Sequence, residues 1–320
     1  MDALTLLVLA DPDGGFLGPL KRLPKETTII VTRDRARLME AAPQADVIFN
    51  ADFRDPTLLF DAFTRATRVR WVHNLAAGVD TILSRELVES AVPLTNSRGI
   101  FRRALGEWTV ASMLFFAYDL RRALRSQASG KWDRFEHEQL HGQTLGIIGY
   151  GEIGRSVAEH AKPFGMRILA LRRNRASDAL AEAVYTPGQI DEMMEQCDYI
   201  AVTAPLTPET RGMVGAHQIA LMKRSAVIIN VGRGPVIDEA ALIAALESNR
   251  IRGAALDVFN VEPLPAAHPF YRLENVLMSA HGADNLPDSR ERAVEFFVEN
   301  FQRFVNHEAL QNVVDKHAGY

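Results

Sequence analysis

Short apolar runs rich in β-branched residues alternate with longer helical patterns twice along this chain, and that alternation constrains its fold more than any other feature. In the first half, LTLLVLA, TTIIV, DVIFN, VRWVH and VPLTN are separated by segments such as DRARLMEAA and DPTLLFDAFTRAT. Strands that alternate with helices in this way pair side by side in one direction, with the helices crossing over the sheet faces. The rhythm restarts at Thr144, where TLGIIG, RILAL, DYIAVTA, SAVIINV, IRGAALDV and NVLMSA supply six further strand candidates. A chain of 320 residues is long for one core and comfortable for two, so two α/β domains are expected. The segment GIFRRALGEWTVASMLFFAYDLRRAL predicts one long, largely apolar helix from near Gly99 to before Gly130 that bridges the domains. An amphipathic helix, SRERAVEFFVENFQRFVNHE, follows Pro287 and returns the chain to the first domain.

Charge and composition exclude several classes. The net charge of -4 lacks the basic footprint that nucleic acid requires. No uncharged stretch reaches the roughly 20 apolar residues needed to span a bilayer, so no membrane partner is expected. The apolar run from Leu4 to Ala10 has no basic residues before it and soon meets Asp11, Pro12 and Asp13, so it reads as a buried first strand and not as a leader. The single Cys197 has no partner for an intramolecular disulfide, which fits a reducing compartment and places the protein in the cytoplasm.

Within LGIIGYGEIGRSVAEHA, Gly149, Gly151 and Gly154 form GxGxxG directly after an apolar strand and at the start of a helix. Gly149 permits the tight turn, Gly151 lets backbone approach a pyrophosphate, and Gly154 lets helix and strand pack closely. The alternative is a glycine-rich turn with no ligand; the flanking strand, helix and next strand favour the cofactor. At the end of RILAL, where an acid would receive the ribose 2′-hydroxyl of NAD(H), stands Arg172, followed by Arg173 and Arg175. Guanidinium forks suit a doubly charged 2′-phosphate, so NADP(H) is expected to be preferred over NAD(H). Simple solvation of these arginines is the competing reading, and it leaves the missing acid unexplained.

In open α/β sheets ligands bind beyond the carboxyl ends of the strands. Arg233 follows AVIINVG, Glu262 lies in DVFNVEPLP, and His281 follows NVLMSA. A histidine exchanges a proton near neutral pH, a carboxylate beside it favours the imidazolium, and an arginine holds and polarises a carboxylate-bearing carbonyl compound, so the set suits hydride transfer coupled to protonation. Residues 137–141, HEQLH, match the HExxH zinc signature, which needs a helix presenting both histidines and a third ligand. Gly142 closes that segment and a strand begins just beyond, so no metal is expected.

AAGVDTI (76–82), the glycine turn, APLTPETRGMV (204–214), NVGRGPVIDE (230–239), DVFNVEPLP (257–265) and SAH (279–281) occur in one order. In this the chain resembles the D-isomer-specific 2-hydroxyacid dehydrogenases over nearly its whole length; DVFN-x-EPLP and the arginines after the second strand look most like the glyoxylate/hydroxypyruvate reductase branch. The resemblance implies two Rossmann-like domains with parallel sheets and a cleft between them: a flavodoxin-like substrate domain of residues 1–96 plus 289–320, and a dinucleotide-binding domain of 97–288. It implies an oxidoreductase interconverting small 2-keto acids and D-2-hydroxy acids, with His281 as general acid/base, Glu262 as its partner, and Arg233 on the substrate carboxylate and keto oxygen. Backbone amides at Ala77 and Gly78 complete the carboxylate clamp. Cofactor contacts fall to Gly149, Tyr150, Gly151, Glu152, Ile153, Gly154, Arg172, Arg173, Pro205, Val231, Gly232, Arg233, Asp257 and His281. Asp257 either contacts the nicotinamide carboxamide or caps the turn leaving its strand.

A homodimer is also implied, with Phe115, Phe116 and Tyr118 either at its surface or in the chain's own core. Formate dehydrogenase is disfavoured, because that relative pairs its histidine with glutamine. A dinucleotide-sensing interaction protein of the corepressor type is the alternative to an enzyme. The chain departs from the family pattern where His281 is followed by Gly282, Ala283, Asp284 and Asn285 in place of an aliphatic or aromatic pocket wall, and where Ala280 replaces the usual proline. Small polar residues there leave room for a bulkier or more polar side group than glyoxylate carries.

Overall fold

The computed structural model describes residues 4–52 and 55–320. Its strands are β1 (Thr5–Leu9), β2 (Thr28–Thr32), β3 (Val47–Asn50), β4 (Trp71–Asn74), β5 (Leu94–Asn96), β6 (Thr144–Ile148), β7 (Arg167–Leu171), β8 (Ala183–Tyr185), β9 (Tyr199–Val202), β10 (Val227–Asn230), β11 (Gly253–Leu256) and β12 (Val276–Met278). The helices are α1 (Arg35–Ala41), α2 (Thr57–Arg65), α3 (Arg85–Glu89), α4 (Arg102–Ala117), α5 (Leu120–Ala128), α6 (Glu152–Ala161), α7 (Ile190–Met194), α8 (Ala216–Leu221), α9 (Glu239–Glu247) and α10 (Ser289–Val305). The chain divides into two compact units, residues 1–101 with 285–320 and residues 102–284.

The first unit carries a parallel sheet in the order β2-β1-β3-β4-β5. β1 is apolar and buried from Leu6 to Leu9 because both faces are covered, as parallel sheets require. Leu6 and Val8 join Phe49 and Trp71 against Phe297 and Phe301 of α10, while Leu7 and Leu9 join Ile48 and Val72 against Leu38, Leu58 and Leu59 of α1 and α2. The rings of Phe49 and Phe297 stack at 4.2 Å. Inside this core Trp71 Nε1 donates to Thr95 Oγ1 at 2.8 Å, and Thr95 Oγ1 lies 2.7 Å from His73 Nδ1. The threonine hydroxyl, with two lone pairs and one proton, accepts from Trp71 and either donates to Nδ1 or accepts from it, according to the tautomer, while Ser97 Oγ lies 3.4 Å from His73 Nε2.

The second unit carries a parallel sheet in the order β12-β11-β10-β9-β6-β7-β8. β8 is absent from the sequence reading; a three-residue, partly buried edge strand offers too little periodicity to see. The long helix expected from Gly99 to Gly130 is instead two. Gly99 sits in a turn at φ 93°, and Asp119 at φ 44° breaks the chain between α4 and α5, then caps α5 by accepting from Arg122 N at 3.3 Å. α4 lies close on α6 because Gly106 has no side chain: a Cβ there would stand 2.8 Å from His160 Nδ1. Phe116 covers Gly253 and is 8% exposed, so it belongs to the core, whereas Tyr118 is 42% exposed. No helix among the described residues is long and apolar enough to cross a membrane.

Candidate active site

In the seven-stranded sheet β6 stands between β7 and β9, the place where the strand order reverses and where a crevice opens beyond the carboxyl ends. The glycine turn fills that place. Gly149 has φ 92°, and a Cβ on it would lie 2.4 Å from Ala204 Cα. A Cβ on Gly154 would lie 2.8 Å from Gly149 O. Around Gly151, the residue before α6, a Cβ would meet nothing within 4 Å, so the bare backbone faces open space with the first amides of Glu152, Ile153 and Gly154 behind it. That is the cradle a pyrophosphate fits. The turn is braced by Thr203 Oγ1 donating to Gly149 O at 2.7 Å and by Gly149 N and Tyr150 N donating to Leu171 O at 3.0 and 2.9 Å.

Topology orders the rest. Arg172 follows β7 on one side of the turn, whereas Arg233, Asp257 and His281 follow β10, β11 and β12 on the other. Arg172 is half-buried, its guanidinium 5.9 Å from the Tyr150 ring centre, and it donates to Ala176 O. Tyr150 OH donates to Asp178 Oδ1 at 3.2 Å, and Asp178 also pairs with Arg155. The N–H of Leu180 leads the contacts that hold the Asp178 carboxyl below its ordinary range. Asp178 thus ties the arginine-bearing loop to the glycine turn, a role that no local pattern announces.

Past β10, the buried Asn230 accepts from Gly232 N at 3.0 Å and donates to Arg233 O at 3.0 Å, so one carboxamide shapes the Val231–Gly232–Arg233 bend. Arg233 donates to Gly232 O at 2.9 Å. The bend rests on the DVFN loop at Gly234, where a Cβ would lie 2.1 Å from Phe259 C. Asp257, 1% exposed, accepts through Oδ1 from Ser279 Oγ at 2.6 Å, Gly282 N at 2.8 Å and Ala283 N at 3.0 Å. Its main-chain oxygen accepts from His281 N at 2.8 Å. The turn that Asp257 caps is therefore the one leaving β12, not the one leaving its own strand, and it holds His281 at φ 47°, in the left-handed region.

His281 Nδ1 and Glu262 Oε2 are 2.7 Å apart, and Glu262 Oε1 accepts from Phe259 N at 2.9 Å. The hydrogen bond to Glu262 raises the imidazole pKa above its ordinary value, against the burial that lowers it. Burial pushes Glu262 up, but the bonds from His281 and Phe259 and the charges of His281 and Arg233 outweigh it and leave the carboxyl low. With Nδ1 committed to Glu262, Nε2 is the nitrogen left to exchange a proton.

Ala77 and Gly78 lie in the first unit, in the turn beyond β4. Asn74 Nδ2 donates to Ala76 O and Gly78 O at 3.0 and 2.9 Å, and Asn96 Nδ2 donates to Ala77 O at 2.6 Å. These carboxamides hold the carbonyl side of the turn. Residues 137–141 are not helical, so the HEQLH histidines do not share a helix face; the His137 ring lies 4.8 Å from Phe135, and Glu138 pairs with Arg252. Ser279 went unseen in the sequence because its partner follows another strand, and Asn230 because nothing in the run AVIINVG marks its carboxamide as the brace of the bend just beyond it.

Comparison with known proteins gives this arrangement a family. Residues 110–283 match the D-isomer specific 2-hydroxyacid dehydrogenase, NAD binding domain. A glyoxylate reductase of Korarchaeum cryptofilum is 35% identical over 262 residues, 80% of this chain and 79% of that protein. A D-isomer specific 2-hydroxyacid dehydrogenase from Xanthobacter autotrophicus, solved with NADPH and MES, superposes with TM-score 0.86 at 28% identity and covers 99% of this chain and 100% of its own. An NADPH-dependent glyoxylate/hydroxypyruvate reductase from Sinorhizobium meliloti, solved with NADP and sulfate, gives TM-score 0.86 at 25% identity and covers 99% and 100%. This chain belongs to the D-isomer-specific 2-hydroxyacid dehydrogenase family, whose members are NAD(P)-dependent oxidoreductases.

Proposed function

We propose that this chain reduces small 2-keto acids to D-2-hydroxy acids with NADPH preferred over NADH, glyoxylate and hydroxypyruvate being the leading substrates. The observation that carries the reading is the 2.7 Å contact between His281 Nδ1 and Glu262, beyond the same sheet edge as Arg233 and the glycine turn. The cofactor, when bound, supplies the hydride. Arg233 holds the substrate carboxylate and polarises the keto oxygen. His281, kept protonated by Glu262, delivers its Nε2 proton to that oxygen as charge develops there. Gly151 and the first amides of α6 take the pyrophosphate, with Pro205, Val231 and Gly232 lining its path. Arg172 and Arg173 take the 2′-phosphate.

The NADPH and NADP bound to the Xanthobacter and Sinorhizobium proteins support this cofactor choice, and the Korarchaeum protein's activity supports the substrate. Nothing in these relatives favours the dinucleotide-sensing alternative. Tyr118, Leu120, Leu124 and Trp132 are 42%, 42%, 61% and 93% exposed, and we place a homodimer contact on this stretch of the chain. The single buried thiol of Cys197 fits the cytoplasm. The test is kcat/KM for NADPH and NADH with glyoxylate and hydroxypyruvate, with Arg172→Ala expected to raise the NADPH KM about tenfold, within the range of a charge-assisted hydrogen bond. Equal use of NADH defeats the cofactor assignment. Binding of NADPH without turnover of any keto acid favours the sensor.

A further inference from the structure

We propose that Asp178 is a positioning residue for cofactor choice: by tying Tyr150 to the loop after β7, it holds Arg172 ready for the 2′-phosphate that distinguishes NADPH from NADH. The proposal rests on the reading that Arg172 takes that phosphate.

Arg172 opens the loop between β7 and β8. Its backbone N–H donates to Tyr185 O at 3.0 Å, and Glu182 N donates to Ile168 O at 2.8 Å, so both ends of the loop are fixed to the sheet. Residues 173–177 between them are exposed. An arginine on such a loop loses side-chain freedom when it grips an anion, which weakens binding unless the fold has already ordered it.

Arg172 is already ordered. Its guanidinium lies 5.9 Å from the centre of the Tyr150 ring and donates to Ala176 O. One carboxylate stands behind both partners. Asp178 Oδ1 accepts from Tyr150 OH at 3.2 Å and from Leu180 N at 3.0 Å, and Oδ2 accepts from Arg155 on α6. Tyr150 is therefore gripped directly, and Ala176 lies two residues before Asp178 on the loop that it pins. An Asx turn explains the bond from Leu180, two residues on; it does not explain why the same oxygen takes the hydroxyl of a residue inside the glycine turn.

The Asp178 side chain is 8% exposed and paired with Arg155, so it anchors the loop without adding an unpaired negative charge to an anion site. Arg172 keeps donors to spare. A guanidinium carries more N–H groups than the bond to Ala176 uses, so a phosphate is gripped without releasing that hold.

The test is a fluorescence titration of NADPH and of NADH onto the full chain, read as the ratio of the two Kd values, since the cofactors differ only in the 2′-phosphate. Arg172→Ala should lower the preference for NADPH about tenfold. Asp178→Ala should lower it by at least about threefold and by no more than Arg172→Ala does, the range of ordering one long side chain. Asp178→Asn keeps an oxygen for Tyr150 and Leu180 and should stay within about 1.5-fold of the parent. In the Arg172→Ala background, Asp178→Ala should change the ratio by less than about 1.5-fold, because residues that act through one group do not add. Where the alanine variant does not fold, Tyr150→Phe, which keeps the ring and removes the hydroxyl, is read in its place with and without Arg172. An unchanged or raised preference in Asp178→Ala, an equal loss in Asp178→Asn, or the same loss without Arg172 overturns the positioning role and leaves the 2′-phosphate reading standing. Arg172→Ala that leaves the ratio unchanged overturns both.

Discussion

Lowering the pH forces a proton onto His73, an imidazole with 0% exposure in the core of the first unit. Its ring nitrogens face neutral hydroxyls, Thr95 Oγ1 at 2.7 Å and Ser97 Oγ at 3.4 Å, which do not offset the desolvation of a charged ring. Burial holds the pKa at about 3, against an ordinary value of 6.5. Between those values the unfolded chain binds a proton that the folded chain refuses, so the histidine leaves stability untouched above the upper value and removes it progressively as the pH falls. Each pH unit is worth about 1.36 kcal/mol, so two units below the upper value remove up to about 2.7 kcal/mol, a large share of a typical total of roughly 5–15 kcal/mol. Urea unfolding at stepped pH, followed by Trp71 fluorescence with Trp108 and Trp132 replaced by Phe, compares the parent with His73→Gln. The difference in stability between the two should change by about 1.4 kcal/mol per pH unit from about pH 6 to about pH 4. Parallel curves across that window would refute the reasoning, whatever the absolute loss in the variant.

Other outcomes follow from the site. Glu262 raises the His281 pKa, and reduction needs the protonated ring, so activity should fall as pH rises through that raised value; in Glu262→Gln the fall should come at lower pH in the kcat/KM profile. An unmoved midpoint would contradict the pairing. Gly149→Ala places a Cβ 2.4 Å from Ala204 Cα at φ 92°, and should lower stability by roughly 2–5 kcal/mol in a thermal or denaturant melt, combining backbone strain with overpacking. Gly151→Ala meets nothing within 4 Å and should change stability by less than about 1 kcal/mol while weakening NADPH binding at least about tenfold in a fluorescence titration. Equal effects from the two glycines would make the turn merely tight and not a cradle.

The sheets were legible in the sequence because parallel strands buried on both faces leave continuous apolar runs, as LTLLVLA and TLGIIG do. β8 was not, since AVY at a half-exposed edge carries no such run. The glycine turn could be read because two of its glycines answer a steric demand, Gly149 against Ala204 and Gly154 against its own turn, while Gly151 leaves its backbone open. The break at Asp119 was hidden, because an aspartate in the left-handed region looks like any polar residue in a helical run. The Arg233, Glu262 and His281 positions were visible as strand ends. The supports from Ser279 and Asp257 were not, because each joins residues that only folding brings together, and the local brace from Asn230 carries no pattern of its own. Asp257 illustrates the limit: its residue type allowed capping, but which turn it caps depends on β11 lying beside β12.

The central claim is that His281 moves the proton and does not hold the cofactor. His281→Asn tests it most directly, since asparagine tolerates the left-handed backbone that position 281 requires. Glyoxylate reduction with NADPH should fall by about a hundred- to ten-thousandfold while the NADPH Kd stays within about twofold of the parent. Retained turnover, or a loss of NADPH affinity as large as the loss of rate, would contradict the account.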